Sequence, residues 1–291
     1  MTQAQDHGKQ TSGLPTLYVV ATPLGNLADI TLRALEVLKQ VEVVVAEDTR
    51  VTRKLLDRYD IVTPLFALHA HNEKHAAKKL IRLLEEGKSI ALVSDAGTPA
   101  ISDPGALAVA AVRAAGHPVM PVPGASAVTC VLSVAGLAVP HWLFYGFLPA
   151  STAARKRELA ALEVLPYALV FYEAPHRVLA SVADMAQAFG ADRAITIARE
   201  LTKLFETIHR CPLGAAYEWL AADPHRTQGE FVLIVDGAEE LRPAGDAEVE
   251  RMLEILLREL PLRQAAKLAA QISGARRNNV YAQALRLKEK S

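Results

Sequence analysis

SIALVSDAGTPAISDPGALAVAAVRAAG, residues 89–116, is the stretch on which the fold turns. It opens on a continuous apolar run, SIALVSD (89–95), the pattern of a strand buried on both faces. A glycine- and proline-rich loop follows, SDAGTPAISDPG (94–105), and then a helical stretch, DPGALAVAAVRAAG (103–116). Similar units flank it. LYVVA (17–21) leads through TPLGNLADIT (22–31) into ITLRALEVLKQ (30–40), and VEVVVA (41–46) leads into TRVTRKLLDRY (49–59). PLFALHA (64–70) precedes the amphipathic NEKHAAKKLIRLLEEG (72–87), and VMPVPG (119–124) passes through PVPGASA (121–127) into ASAVTCVLSVAG (125–136). Strands joined by helical crossovers build an open parallel sheet. This predicts an N-terminal α/β domain over residues 17–136, after a disordered polar tail over 1–16.

The pattern changes beyond Leu137. FYGFLP (144–149), ALVFYEA (168–174), RAITIARE (193–200), LFETIHR (204–210) and GEFVLIVDG (229–237) read as strands, with helices over 151–163 and from His176 to Phe189. Several of these strands have no helix between them, so a second α/β domain with a mixed sheet is expected over 137–237. GAEELRPAGDAE (237–248) reads as a polar linker, and residues 247–291 hold two or three helices and no strand. The fold class is therefore α/β, two α/β domains followed by a linker and small C-terminal helical element over 238–291.

Composition narrows the function. The chain of 291 residues is 51% hydrophobic and 22% charged, as a globular enzyme is, and its two cysteines, Cys130 and Cys211, form no C-x-x-C pair. Residues 114–154 lack Asp, Glu, Lys and Arg, but Pro118, Pro121, Pro123, Pro140 and Pro149 interrupt any helix of spanning length. The N-terminus has no apolar signal region, so a cytoplasmic protein without membrane attachment is expected. Lys+Arg and Asp+Glu are 32 each, yet residues 262–291 carry seven basic groups against one acid, or +6. The first 261 residues, with 25 basic against 31 acidic, are −6.

That basic end has the outline of a helix-turn-helix: small apolar residues over 264–272, a turn at Ser273-Gly274, and a second helix from Ala275. Arg263, Lys267, Arg276, Arg277 and Lys288 suit phosphate contacts; an amphipathic packing element with a solvated basic face is the alternative. In HAHNEKH (69–75), His71 and His75 have the spacing of a zinc pair, but the Glu falls two residues after His71 and no cysteine or carboxylate partner is evident. No metal is expected there; the segment reads as a solvated helix start capped by Asn72.

Three of the glycine- and proline-rich loops follow predicted strands, and in parallel α/β sheets ligands bind where loops leave the carboxyl ends of strands. None of the three fits the dinucleotide or Walker pattern. Together, LYVVATPLGNLADITLRALEVL, AEDTR (46–50), SDAGTPAISDPG, PGASA, FYGFLP, FYEAPHR (171–177) and ARELTKLFET (198–207) resemble, in order, the bacterial 16S ribosomal RNA cytidine 2′-O-methyltransferases. These are a branch of the tetrapyrrole (corrin/porphyrin) methylase superfamily. The resemblance implies S-adenosyl-L-methionine as cofactor, bound in a cleft between the two α/β domains. It also implies a homodimer, and a substrate in the 16S rRNA of the small ribosomal subunit. It places Pro23, Leu24 and Gly25 at the cleft floor, and Ser94, Asp95, Ala96, Gly97, Thr98 and Pro99 in the cofactor loop. Ile101, Ser102 and Asp103 then flank the methionine part, Ser126 and Ala127 make a further contact, and Phe171 and Tyr172 cover the adenine side. Glu230 and Phe231 lie on the last cofactor-facing strand.

Transfer of a methyl group to a ribose hydroxyl needs an acceptor for its proton or cationic groups for the developing oxyanion. The candidates in the matched motifs are Glu47, Asp48, Arg50, Glu173, His176, Arg177, Arg199, Glu200 and Lys203. Glu47 and Asp48 equally suit capping of the helix at Thr49, and Arg199 suits an ion pair with Glu200. The base is left open among them. Methylation of a tetrapyrrole, and RNA binding without catalysis, are the competing functions.

Overall fold

The structure, a computed structural model, describes residues 13–68, 73–137, 140–238, 246–275 and 277–290. The first sheet contains β1 (Leu17–Val20), β2 (Val43–Ala46), β3 (Leu65–Ala67), β4 (Ile90–Val93) and β5 (Val119–Val122). Its order is β3-β2-β4-β1-β5 and every pairing is parallel. The crossovers are α1 (Leu32–Gln40), α2 (Thr49–Arg58), α3 (Glu73–Glu85) and α4 (Ala106–Ala114), and α5 (Ala127–Val134) follows β5. Thr31 caps α1 by accepting the Ala34 amide at 3.2 Å.

One face of this sheet buries Tyr18, Val20, Val44 and Ala46 against Ala34, Leu38 and Leu56 of α1 and α2. The other buries Leu17, Val45, Ile90 and Leu92 against Leu80, Leu84, Ala108 and Val112 of α3 and α4. The unbroken apolar character of VVVA and IALV follows from this double coverage.

The second sheet has β6 (Trp142–Phe147), β7 (Ala168–Glu173), β8 (Ala194–Arg199), β9 (Thr207–Pro212) and β10 (Phe231–Val235), in the order β6-β7-β10-β8-β9. β6 and β7 run parallel and the other pairings are antiparallel, a mixed sheet as the sequence predicts. α6 (Thr152–Leu162), α7 (Val178–Phe189) and α8 (Leu213–Ala221) accompany it. Val128 and Val131 of α5 pack on Ala168, Val170, Ala198, Val232 and Ile234, so the last helix of the first half is docked on the second sheet. That contact brings the loop ends of the two sheets together.

Some boundaries differ from expectation. α8 is not anticipated, because LGAAYEWLA is apolar nearly throughout and offers no polar stripe to mark a helical period. α4 starts at Ala106 and not at Asp103, since Gly105 precedes it at φ 130°, outside helical space. Residues 69–72 lie outside the described residues, and with them the end of the expected 64–70 strand, the Asn72 cap, His69 and His71. Both sheets belong to one compact unit that reaches Asp236. A second unit joins residues 164–166 to residues 237–291. In it α9 (Asp246–Glu259), α10 (Leu262–Ser273) and α11 (Arg277–Lys290) bury Val249, Leu253, Ala266, Ala269, Val280 and Ala284. No described helix is long and apolar enough to cross a membrane.

Candidate active site

β4, β1 and β5 are neighbours, so the loops that leave their carboxyl ends emerge side by side. Thr22 and Gly97 join the first two loops in an antiparallel bridge, and Thr22 Oγ1 donates to the Ser94 carbonyl at 3.0 Å. Thr98 Oγ1 joins the second loop to the third by donating to the Ala125 carbonyl at 3.0 Å. Gly97 has φ 80°, and a Cβ there would lie 3.3 Å from the Leu24 side chain. Only glycine serves at a position both left-handed and closely approached.

Above these loops lies a cavity of about 410 Å³. The first sheet supplies Leu24, Glu47, the run Asp95 to Thr98, Ile101, Asp103, Ser126 and Ala127. The second supplies Phe147, Tyr172 to Pro175, Leu201 and Glu230 to Val232. Tyr172 stands edge-on to Phe144 and Phe147, with ring centroids 4.9 and 5.6 Å away.

Five carboxylates line the cavity, those of Glu47, Asp95, Asp103, Glu173 and Glu230, and none of the lining residues is Lys, Arg or His. Burial, opposed by a hydrogen bond from Ser94 and reinforced by the charges of Asp95 and Glu230, pushes the Asp103 carboxyl up to about 6. Burial, with the Asp103 charge, likewise raises the Tyr172 phenol to about 12. Two of the five are ion-paired, Glu173 with Arg177 at 3.2 Å and Glu230 with Lys203 at 2.9 Å, which leaves the wall acidic chiefly at Asp95 and Asp103. The surroundings are complementary to a positively charged ligand with an aromatic part.

The profile of the Tetrapyrrole (Corrin/Porphyrin) Methylases matches residues 16–217, and that of the RsmI C-terminal HTH domain matches residues 243–288. The chain belongs to the tetrapyrrole methylase family. A Pseudomonas aeruginosa relative named ribosomal RNA small subunit methyltransferase I is 49% identical over 278 residues, covering 95% of this chain and 99% of its own. A relative of the same name from Escherichia coli O157:H7 is 47% identical, covering 97% of this chain and 98% of its own. Among solved structures, a cobalt precorrin-4 methyltransferase shares the methylase fold with a TM-score of 0.58 at 16% identity, over 76% of this chain and 94% of that one.

Within this methylase fold, Leu24, Asp95, Ala96, Gly97, Thr98, Ile101, Asp103, Ser126, Ala127, Tyr172, Glu230 and Phe231 all face one cavity. Pro23, Gly25, Ser94, Pro99, Ser102 and Phe171 lie outside its wall. Phe171 is fully buried on the opposite side of its strand from Tyr172, because successive strand residues alternate faces. The bare Cα of Gly25 leaves room for the Lys203 stem, and Ser94 Oγ donates to the carbonyls of Ala96 and Gly97, both at 3.3 Å. Phe147, Ala174, Pro175, Leu201 and Val232 are cavity residues that sequence reasoning leaves unassigned, although all but Val232 fall in the motifs FYGFLP, FYEAPHR and ARELTKLFET.

The catalytic candidates separate. Glu47 and Glu173 reach the cavity; Asp48, Arg50, His176, Arg177, Arg199, Glu200 and Lys203 do not line it. Asp48 caps α2 by accepting the Arg50 amide at 2.8 Å, and the Arg50 guanidinium at 2.7 Å holds its carboxyl down at about 2. His176 is exposed. Arg199 donates to the carbonyls of Gln228 and Phe205 at 3.2 and 3.1 Å, bracing the segment after β8. Glu173 is clamped by the Ser181 hydroxyl, the Ala174 amide at 2.8 Å and Arg177 at 3.2 Å.

In the second unit, α10 ends at Gly274, which adopts the left-handed conformation at φ 67°, and α11 begins three residues later. Arg263, Lys267, Arg277 and Lys288 are exposed, while Arg276 lies outside the described residues. Among the described residues no group of three His, Cys, Asp or Glu could hold a metal ion, and His75 is exposed.

Proposed function

We propose that this methylase transfers a methyl group from S-adenosylmethionine to the 2′ hydroxyl of a cytidine in the decoding region of small-subunit ribosomal RNA. The observation that carries the reading is a cavity with five carboxylates, two of them in ion pairs, and no basic wall residue, formed where both sheets present their loops. S-adenosylmethionine fits such a wall through its sulfonium and ammonium charges and its adenine ring. The names of relatives that align over nearly the whole chain support the RNA substrate. The resemblance of the motifs supports the cytidine hydroxyl, a homodimer and a cytoplasmic site of action.

When bound, the cofactor supplies an electrophilic methyl group. The protein's part is placement, exclusion of water and removal of one proton. Asp95 and Asp103 supply charge opposite the cationic ligand, Glu230 being paired with Lys203 at 2.9 Å; Tyr172, Phe147 and Phe231 exclude water on the second-sheet side. Glu173 is engaged by Arg177 and Ser181 and acts as a fixed wall. Glu47, the other candidate in the cavity, is assigned as acceptor of the hydroxyl proton. The exposed Arg263, Lys267, Arg277 and Lys288 supply phosphate contacts for the RNA.

The test is incubation with methyl-labelled S-adenosylmethionine and, separately, small ribosomal subunits lacking the modification or a tetrapyrrole acceptor. Label at a cytidine 2′ oxygen is expected. Label only in the tetrapyrrole, or binding of RNA with no transfer, would overturn the reading.

A further inference from the structure

The HAHNEKH segment contains a group that none of the chemistry above uses. Glu73, at the start of α3, is buried, with 8% of its surface exposed. A single oxygen, Oε1, accepts three backbone amides: Gly105 at 2.9 Å, Leu107 at 2.8 Å and Ala108 at 3.2 Å. These are the opening amides of α4. The residue at the position of its cap, Gly105, has no side chain to serve them. A carboxylate from a different helix therefore does the capping, placed where the helix dipole favours negative charge.

What this anchors is the far end of the cavity loop. Thr22 and Thr98 hold its near half to the neighbouring loops. Between Thr98 and Gly105, Ala100 and Ser102 adopt left-handed backbone conformations at φ 66° and 65°. The cavity residues Ile101 and Asp103 alternate with them. Two unfavourable backbone conformations and a half-buried carboxylate persist only where the surroundings hold them. On the Gly105 side, Glu73 is that hold. Gly105 itself, at φ 130° with a Cβ position 3.0 Å from the Leu92 side chain, admits no other residue that could cap the helix locally.

We infer that Glu73 is a positioning residue for the cofactor loop, its one oxygen pinning Gly105 and the first turn of α4 so that Ile101 and Asp103 face the cavity. The inference rests on the reading of that cavity as the S-adenosylmethionine site. Glu73 itself does not line it.

The test uses the full chain and compares Glu73→Gln with Leu80→Ala, a control that empties part of the same α3 packing without touching the cap. The dissociation constant for S-adenosylmethionine is measured by calorimetry at a temperature where both variants are folded. Loss of a charge-assisted cap and displacement of the loop should weaken binding by about tenfold or more in Glu73→Gln. In Leu80→Ala at matched loss of melting temperature it should change by less than about twofold. In the ligand-free protein, amide exchange at Leu107 and Ala108 should accelerate only in Glu73→Gln. There the Asp103 titration, set by its burial and by Asp95, Glu230 and Ser94, should also fall back toward the ordinary carboxylate range. Should the glutamine variant fail to fold, Glu73→Asp, one methylene short of the amides, should show the same selective loss. Equal weakening in the Glu73 variant and the control, or unchanged binding in the Glu73 variant, overturns the inference. Absence of binding by the unsubstituted protein would instead overturn the cofactor reading itself.

Discussion

Thr22 and Gly97 exchange both of their backbone hydrogen bonds, at 2.8 and 2.9 Å, although 75 residues separate them in the chain. The pair closes the loop after β1 against the loop after β4 and sets the cavity floor before any ligand arrives. Pre-ordering of this kind lowers the entropy lost on binding.

Gly97→Ala should damage that floor. The residue sits at φ 80° and its new methyl would press on Leu24 at 3.3 Å. A loss of about 1–2 kcal/mol in stability is expected, with cofactor affinity lowered by about tenfold. Chemical denaturation and calorimetry check the two effects; a variant that binds as tightly as the parent would show that the bridge does not set the floor.

Asp103 gives a prediction with a definite sign. Its folded value, about 6, stands above the ordinary 3.8, so the folded protein holds the proton more tightly than the unfolded chain. Ionising it therefore costs stability. The cost is absent below about pH 4, grows between about pH 4 and 6, and is complete above. Asp103→Asn should stabilise the ligand-free protein at pH 7.5 by on the order of 1 kcal/mol, discounted for partial solvent screening, and by nothing near pH 3.5. The same substitution should weaken cofactor binding at pH 7.5. In the parent, affinity should fall as the pH drops below about 6, because the carboxyl must lose its proton to meet a cation. An affinity independent of pH from about 5 to 7.5 would refute the assignment.

Glu47→Gln should lower kcat by about a hundredfold or more while changing the dissociation constant of the cofactor little, the behaviour of a group that takes a proton in the reaction. Single-turnover rates as a function of pH provide the check. A variant that keeps its rate would return the proton to another group.

Removal of residues 246–291 should leave cofactor affinity within about twofold and weaken RNA binding, with a shallower dependence on salt. Within the intact chain, Arg277→Ala should reduce the logarithmic salt slope by about one if that side chain meets a phosphate. Binding isotherms between low and moderate salt distinguish this from a packing role, for which the slope would not move.

Much of this site can be read without coordinates, for identifiable reasons. Buried parallel strands write themselves as runs such as VVVA and IALV, and the glycines and prolines after β1, β4 and β5 mark loops whose backbone must come close to something. The order of strands then brings those loops together. What sequence does not disclose is phase and direction. Phe171 and Tyr172 are equal candidates in the motif, and only the register of β7 against β10 decides that the tyrosine faces the cavity. Asp48 and Arg50 look like chemistry in AEDTR but satisfy each other at a helix start. Glu73 looks like a failed metal motif, because its partners are backbone amides more than thirty positions away and amides leave no signature in composition.

The acidic wall bears on turnover as well as on capture. A site that attracts its ligand chiefly through charge loses its grip once that charge is gone, and methyl transfer converts a cationic sulfur into a neutral thioether. With S-adenosylmethionine as the donor, as proposed, the acidic wall at Asp95 and Asp103 would favour the unspent over the spent molecule. On that reading the same electrostatics that recruit the fresh molecule would release the exhausted one.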